Sequence, residues 1–303
     1  MAIQINGTVY KINSLRIYGY HLAFKDKLQG DEQSNTIFIS NSDVFDASIC
    51  KNIFIYQNNQ DKNVTLATDR EFTKPDTAQT WLFQVENTVE FMWQTQGGQI
   101  SCRFLEEVTE DIFRFWLYHL VLPIYLSIAQ TYKFLHSGAV EVDEKTILFM
   151  APSHGGKSTL IDYFLKKGHP LVTDDKMATF EKDGVYYAVP SHPYHRPFRT
   201  TEVLGNLCEN IATKARPIHA IYILKKEEPN AQIVIRKLKG IEKFSRLHEG
   251  GEMNFSFFSR DYVSYLAALA NKVDVFEVTI PHDLKRLEEV YQVIKLHLVK
   301  LQD

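Results

Sequence analysis

The segment Ala151-Pro-Ser-His-Gly-Gly-Lys-Ser158 decides how the fold of this 303-residue chain is interpreted. It fits the relaxed phosphate-loop pattern, in which Ala or Gly is followed by four residues and then by Gly-Lys-Ser/Thr. Gly155 and Gly156 let the backbone turn its N–H groups inward around phosphate oxygens. Lys157 supplies a positive charge for the β- and γ-phosphates, and the Ser158 hydroxyl can ligate Mg²⁺. The predicted nucleotide-binding residues are Ser153, His154, Gly155, Gly156, Lys157, Ser158 and Thr159.

The residues on either side of this loop predict a strand, a turn and a helix. Lys145–Met150 is a short apolar run typical of a buried strand. Ser158–Lys167 has apolar residues at helical spacing, and Gly168 follows as a stop signal. A turn at a helix N-terminus binds phosphate through oriented N–H groups and the helix dipole. We therefore predict that this turn binds phosphate. The alternative is that it only connects a strand to a helix.

An acidic pair, Asp174-Asp175, comes one short helix and one short strand later. A helix of about eleven residues travels about 16 Å, and the predicted strand His169–Thr173 travels about 16 Å back. If that strand runs parallel to the first, both carboxylates reach the edge of the sheet where ligands of α/β proteins bind. One could then hold Mg²⁺ while the other accepts a proton from an attacking hydroxyl. The alternative is that Asp175 starts a turn and Asp174 is solvated.

These segments resemble the catalytic core of the HPr kinase/phosphorylase superfamily, which is distantly similar to phosphoenolpyruvate carboxykinases. The likeness is carried by His136-Ser-Gly-Ala-Val140, Ala151–Thr159, Gly168-His169 and Leu171-Val-Thr-Asp-Asp175. HPr kinases carry a His-Gly before the phosphate loop, and here His136 precedes Ala151 by fifteen residues, which fits that layout. A looser likeness extends to Val275–Leu284. Compact members found in lasso-peptide gene clusters resemble the layout of this chain more closely than the HPr enzymes do.

The resemblance implies an α/β fold with an HPr-kinase-like phosphate-loop core, and ATP and Mg²⁺ as cofactors. It implies that His136 and Asp174 sit at the proton-transfer centre, with Asp175 and Ser158 at the metal, although the two aspartates could exchange roles. Thr159 departs from the pattern, because HPr kinases commonly carry an acidic residue there. No stretch for engaging HPr is found. The predicted acceptor is therefore the hydroxyl of a peptide, a protein or a small molecule.

A proline-rich basic segment, residues 186–202, follows the second core strand. Its three prolines disfavour regular structure over much of its length. Arginine is suited to the charge on a transferring phosphoryl group, so Arg196 and Arg199 are predicted active-site residues. His192 and His195 lie in the same segment. A solvent-exposed loop is the alternative interpretation.

Two domains are predicted from the change in pattern along the chain. Residues 1–108 contain short alternating runs, including Val9–Leu15, Thr36–Ile39 and Ile53–Gln57, which predict a β-rich domain for recognition or assembly. They are broken by polar clusters such as Gln29–Asn35. A helix is predicted from Glu110 to Tyr132, so residues 109–303 are assigned to the HPr-kinase-like ATP-binding domain.

Composition argues against several classes of protein. A net charge of −3, spread along the chain, gives no electrostatic basis for binding nucleic acid. Phe115–Ala129 is the most apolar stretch, but its 15 residues are too few to span a bilayer, and Pro123 predicts a kinked buried helix. The cysteines, Cys50, Cys102 and Cys208, are odd in number and widely spaced, which predicts reduced thiols and a cytoplasmic protein. The composition leaves open whether the chain forms a homo-oligomer.

These patterns together predict an ATP- and Mg²⁺-dependent kinase. Asp174, assisted by His136, would deprotonate an acceptor hydroxyl, while Lys157 and Mg²⁺ neutralise the γ-phosphate. Two alternatives stay open. One is a non-enzymatic ATP-binding regulator, and the other is a carboxykinase-like enzyme acting on a small acid.

Overall fold

A computed structural model describes residues 2–5, 8–11, 16–24, 36–42, 46–57, 62–71, 75–197, 200–252 and 255–301. The chain divides into two compact units. The first comprises Met1–Tyr132, Phe198–Leu204 and Phe255–Phe258, and the second comprises Lys133–Pro197, Gly205–Asn254 and Ser259–Asp303. The protein is thus of mixed α/β class, with several sheets. Among the helices that the structure describes, none combines the length and apolar character needed to cross a membrane.

The described residues of the first unit form nine strands: β1 (Ala2–Ile5), β2 (Thr8–Lys11), β3 (His21–Phe24), β4 (Thr36–Asn41), β5 (Asn52–Gln57), β6 (Asn63–Thr68), β7 (Thr80–Val85), β8 (Val89–Gln94) and β9 (Gln99–Phe104). Strands β3 to β9 make a seven-stranded sheet in the order β3-β4-β9-β8-β7-β6-β5, and β1 pairs with β2 separately. The predicted runs at residues 9–15, 36–39 and 53–57 coincide with β2, β4 and β5, although residues 12–15 and the break at 29–35 lie outside the described part.

One continuous helical stretch follows this sheet. It consists of α1 (Glu110–Trp116), a π-helical segment (Leu117–Val121) and α2 (Leu122–Ile128). Thr109 caps its start, because its hydroxyl accepts a hydrogen bond from Ile112 N–H at 3.4 Å. The Leu122 N–H bonds to the Leu117 carbonyl, a wider turn that comes directly before Pro123. Proline has no N–H to donate, and a π-helical turn is a local widening that can accommodate it. The structure thus has a π-helical segment next to the position where a kink was predicted. The helix ends four residues before the predicted Tyr132.

Aromatic packing ties this helix to the sheet of the first unit. The Phe91 and Phe113 rings stack with centroids 5.7 Å apart, and Trp93 meets Tyr125 edge-on at 6.1 Å. Residues 109–132 therefore belong to the first compact unit, beyond the predicted boundary at residue 108. The periodicity of a helix shows which face is apolar but not which sheet will cover it. The assignment of separate functions to residues 1–108 and residues 109–303 stays a prediction.

Two short segments from late in the chain complete the first unit. The Glu202 carboxylate accepts a hydrogen bond from Trp116 Nε1 at 2.9 Å and pairs with Lys62 Nζ at 2.9 Å. The Phe257 ring lies 5.9 Å from Trp81, measured between centroids. Glu202 and Phe257 belong to the segments Phe198–Leu204 and Phe255–Phe258, so the first unit is discontinuous in sequence.

The second unit contains the phosphate-loop motif. Its strands are β10 (Lys133–His136), β11 (Gly138–Val142), β12 (Lys145–Met150), β13 (Leu171–Thr173), β14 (Lys176–Lys182), β15 (Val185–Val189), β16 (Tyr194–His195), β17 (Asn206–Leu207), β18 (Arg216–Glu227), β19 (Ile235–Lys237), β20 (Gly251–Glu252) and β21 (Asp274–Pro281). Its helices are α3 (Lys157–Lys166), α4 (Gly240–Glu249), α5 (Ser259–Lys272) and α6 (Leu287–Lys300). All strands but β16 and β17 join one ten-stranded sheet.

Strand directions bring the two motifs to one edge of this sheet. β12 pairs in parallel with β18, and β18 with β21. β11 is antiparallel to both β12 and β13. β13 therefore runs in the same direction as β12, as predicted, and the residues after both strands emerge at the same edge.

Helices cover both faces of the sheet because successive strand residues point to opposite sides. On β12, Ile147 and Phe149 join a buried cluster with α3 and α6. Leu148 and Met150 join a second cluster with α4 and α5. The loop after β12 is thus anchored by a strand that is buried on both faces.

Gly138 in β11 makes close packing against α3 possible. A Cβ at this position would lie 1.9 Å from Ile161 Cδ1 and 2.9 Å from the Asp174 carbonyl oxygen. We expect Gly138→Ala to lower the free energy of unfolding by about 1–3 kcal/mol through overpacking. Urea unfolding would measure this loss. Adding Ile161→Val removes the nearest atom and should restore part of it, whereas an unchanged midpoint in Gly138→Ala would contradict the packing described.

Candidate active site

The loop between β12 and α3 is a tight turn that depends on its glycines. Gly155 N–H donates a hydrogen bond to the Pro152 carbonyl at 2.9 Å. A Cβ on Gly155 would lie 2.8 Å from Ala151 Cβ and 2.9 Å from the same carbonyl oxygen. Gly156 has a φ of +89°, in the left-handed region that favours glycine. Both glycines of the motif are therefore required by the backbone itself.

This turn delivers the chain into the N-terminus of α3. Gly156 is the N-cap and contributes no capping side chain, so the first N–H groups of the helix are not bound by the cap residue. Ser153, His154 and Thr159 are exposed, and Ser158 is half-buried. Oriented N–H groups at a helix start, in a loop open to solvent, form the kind of site that receives a phosphate.

The Lys157 side chain reaches from the helix start to the acidic pair. It is 5% exposed, and its Nζ lies 3.0 Å from Asp175 Oδ1 and 3.5 Å from the Asp174 carbonyl oxygen. These contacts direct the ammonium group from the start of α3 towards the bend that follows β13. Lys157 thus links the phosphate-loop motif to the edge of β13.

Asp175 is the more accessible of the two aspartates. Its Oδ1 also lies 3.2 Å from His136 Nδ1, and its side chain is 21% exposed. Its backbone carbonyl accepts a hydrogen bond from Ser137 N–H at 2.9 Å, which connects it to the chain leaving β10. The structure therefore brings together His136, Lys157 and Asp175 around one carboxylate oxygen.

Asp174 lies in a different environment. Its side chain is only 3% exposed. His195 Nδ1 lies 3.1 Å from its Oδ1, and Arg196 N–H donates to its Oδ2 at 2.9 Å. Both carboxylate oxygens are thereby engaged by the segment that follows β15. Asp174 is placed to hold that segment, whereas Asp175 meets the lysine and the histidine of the candidate site.

The proline-rich segment is buried for much of its length. Ser191, His192 and His195 are each almost inaccessible to solvent, which excludes the exposed-loop interpretation for these residues. Burial lowers the pKa of His192 to about 4 against the smaller opposing effect of Asp174, so its imidazole is neutral at pH 7. Arg196 is half-buried beside Asp174, and Arg199 lies outside the described residues.

Glu252 is a site residue that the sequence analysis missed. β20 pairs with β10, and this places Glu252 Oε2 3.4 Å from His136 Nδ1. Its other oxygen pairs with Lys176. Burial raises the pKa of Glu252, but the charge of Lys176 and the hydrogen bond with His136 together lower it to about 2. A second carboxylate thus contacts His136, in addition to Asp175.

The pKa of Glu252 predicts how stability depends on pH. Its folded value of about 2 is below its ordinary value of 4.5, so its stabilising effect is complete above about pH 4.5 and is lost as pH falls towards 2. We expect Glu252→Gln to unfold at lower urea than wild type at pH 6, with the difference shrinking below pH 4.5. Glu249→Gln, at an exposed carboxylate on α4, is the control. A difference that persists unchanged to about pH 2 would contradict this pairing.

No side-chain cluster within the described part of the chain is arranged to hold a metal ion without other ligands. Mg²⁺ differs from other metals in commonly using one or two protein ligands and completing its shell with phosphates and water. Ser158 and Asp175 are a hydroxyl and a carboxylate, which are the oxygen ligands that Mg²⁺ accepts. The residues present are compatible with a shared Mg²⁺–nucleotide site.

No family model matches this chain, and no curated protein matches its sequence. Among solved structures, the chain is similar to the Hpr(Ser) kinase/phosphatase from Coxiella burnetii, with 16% identity and a TM-score of 0.35, over 56% of this chain and 99% of that one. This neighbour bears the name of the superfamily that the motifs resemble. A likeness of this strength establishes neither fold nor function, and membership of that superfamily stays a prediction.

Proposed function

We propose that this chain is an ATP- and Mg²⁺-dependent kinase that phosphorylates a hydroxyl of a peptide, protein or small molecule. One observation carries the proposal. Lys157, at the start of a helix that follows a glycine turn, shares Asp175 Oδ1 with His136. A phosphate-binding turn, a cation, a carboxylate and an imidazole are the groups that phosphoryl transfer to a hydroxyl needs.

Each side chain has a distinct task in this proposal. The N–H groups of residues 155–159 and the Lys157 ammonium bind the phosphates and offset their negative charge. Ser158 and Asp175 would hold Mg²⁺, which when bound would neutralise charge on the phosphoryl group that ATP donates. In this proposal Asp175 also takes the proton of the acceptor hydroxyl, and His136, whose Nδ1 lies 3.2 Å from its Oδ1, shares that proton.

This assignment moves the task of general base from Asp174, where the sequence analysis put it, to Asp175, which also keeps its predicted place at the metal. A general base must reach the proton that it removes. Asp174 is buried with both oxygens engaged, and Asp175 is accessible. Asp174 then positions His195 and Arg196, and the role of Asp174 as general base stays a prediction that the variants described in the Discussion test.

Calorimetric titration of the full chain with ATP, in the presence of Mg²⁺ and then of EDTA, tests nucleotide binding. We expect saturable binding that requires Mg²⁺, with a dissociation constant of roughly 1 μM to 1 mM, the range common for enzyme substrates. Binding accompanied by continuing phosphate release supports the enzyme. Binding without turnover would favour the regulator, and the absence of any heat of binding would overturn the proposal.

A further inference from the structure

An apolar groove lies between α4 and α5 in the second unit. It is a cavity of about 280 Å³ lined by Ile241, Phe244, Ser245, His248 and Val263, and is called here the α4–α5 groove. Ile241 is 81% exposed, the most exposed of the large apolar side chains that the structure describes. Elsewhere α4 turns Leu247 into the core. An exposed apolar side chain next to a cavity gives a ligand something to bury.

A second cavity of about 470 Å³ continues the groove past the N-terminus of α4. It shares Ile241 and Phe244 with the groove and adds three lysines, Lys237, Lys239 and Lys243. None of the described residues that line the two cavities is acidic. Lys237 pairs with Asp274 at 2.7 Å, which neutralises one of the three charges. The groove is therefore apolar along α4 and positively charged at one end.

Lys243 has an environment that favours an incoming anion. Burial lowers the pKa of Lys243, the charge of Asp274 opposes this effect, and the charge of Lys237 adds a smaller lowering. A carboxylate entering this end of the groove would reduce the repulsion between the lysines. Charge complementarity thus indicates a ligand with acidic groups for the lysine end of the groove and an apolar group for the part along α4.

The α4–α5 groove also leads towards the candidate active site. Helix α4 has ten residues, which extends over about 15 Å. Immediately after it, the Gly250 carbonyl accepts a hydrogen bond from His136 N–H at 2.7 Å, and Glu252 contacts the His136 ring. An extended peptide covers about 15 Å with five residues. A peptide is long enough to occupy the groove and still present a hydroxyl near His136, whereas a small anion is not.

We infer that the α4–α5 groove and its lysine end dock an acidic segment of a peptide acceptor, with an apolar side chain against Ile241 and Phe244. The phosphorylated Ser, Thr or Tyr lies several residues away from this segment in the same peptide. The inference rests on the proposed kinase function, and it narrows the acceptor from any hydroxyl compound to a peptide with an acidic and apolar anchor.

Selection from a peptide library on the 303-residue protein tests this docking. Phage-displayed random peptides of about 12 residues, which suffice to cover α4 when extended, are selected on wild type, on Ile241→Glu and on Leu296→Glu. Leu296 is the matched control, because it is 62% exposed on α6 and does not line the groove. We expect wild type and Leu296→Glu to enrich the same acidic peptides with a large apolar residue, and Ile241→Glu not to enrich them.

Direct binding then measures the effect. An enriched peptide, synthesised with a fluorescent label, should bind about tenfold more weakly to Ile241→Glu and to Lys239→Glu, as read by fluorescence anisotropy. Lys300→Glu, a charge reversal on α6, should leave the affinity unchanged. Failure to enrich peptides, enrichment of neutral or basic ones, or equal binding by all variants would overturn the inference. So would self-association of wild type that Ile241→Glu abolishes, because a second copy would then occupy the groove.

Titration of the same preparations with Mg·ATP separates the two proposals. If acidic peptides bind as expected but Mg·ATP does not bind, the docking surface stands and the kinase proposal falls. If Mg·ATP binds but the expected pattern among the peptide variants is absent, the docking inference alone is overturned.

Discussion

Replacing Lys157 by Met is expected to weaken Mg·ATP binding by about 100-fold while leaving the protein folded. A hydrogen bond to a charged group contributes about 1.5–3 kcal/mol, and about 2.8 kcal/mol corresponds to a factor of 100 in affinity. Methionine keeps the aliphatic part of the side chain, which lies in a largely buried position. Asp175 keeps its contact with His136 and remains partly accessible to water, so its carboxylate is still solvated. Calorimetric titration measures the affinity.

Lys166→Met is the matched control for this variant. Lys166 lies on the same helix, but its side chain is 71% exposed and pairs with Asp162 across one helical turn. The Lys166→Met variant should bind Mg·ATP with wild-type affinity. Equal affinities in wild type and Lys157→Met, with both proteins folded by circular dichroism, would remove the phosphate-binding role of the loop.

The second large effect is expected from Asp175→Asn, which should lower ATP turnover by roughly 10²–10⁴-fold. An amide cannot accept the proton of an attacking hydroxyl, and it is a poorer ligand for Mg²⁺ than a carboxylate. The amide oxygen can still accept from Lys157 Nζ, but the buried ammonium loses its counter-charge, so turnover is compared at a temperature at which circular dichroism shows both proteins folded. Phosphate release from ATP, measured across a Mg²⁺ titration, reports both effects with water as the acceptor.

Asp174→Asn should behave in the opposite way. If its amide nitrogen faces the Arg196 N–H, that buried hydrogen bond is lost. If it faces His195 Nδ1, the bond survives only in the tautomer whose Nδ1 accepts, and the stronger bonds to a charged carboxylate are lost in either case. We expect a loss of about 1–3 kcal/mol in the free energy of unfolding, with a smaller effect on turnover than Asp175→Asn has. If Asp174→Asn abolishes turnover at unchanged stability, Asp174 is the general base, as the resemblance to HPr kinases implies.

The sequence predicted the elements around the loop well because their signals are local. The apolar run at 145–150 became β12 with the predicted bounds, and α3 begins one residue before the predicted start. The glycine turn and the direction of β13 follow from short-range chain geometry. These features need only residues that are close together in the sequence, and there the patterns are dependable.

The different surroundings of Asp174 and Asp175 could not be predicted in this way. Asp174 and Asp175 lie in the bend between β13 and β14, where the alternation of side chains along a strand does not decide which carboxylate turns towards Lys157. Which one does so depends on the pairing of β13 with β11 and on the buried segment around His195. Glu252 reaches the site through the pairing of β20 with β10, between segments far apart in the sequence, and no motif marks it.

The late contribution of residues 200–204 to the first unit has a consequence for protein synthesis. A ribosome completes the nine strands and the following helix well before Glu202 and Phe257 are translated. Until then Trp116 Nε1 and Lys62 lack the carboxylate that they share in the finished protein, and Trp81 lacks the Phe257 ring. The first unit of the nascent chain therefore forms its last contacts only after Phe257 has been translated, late in the synthesis of the 303 residues. A gene fragment cut at residue 132 encodes a unit that cannot make them.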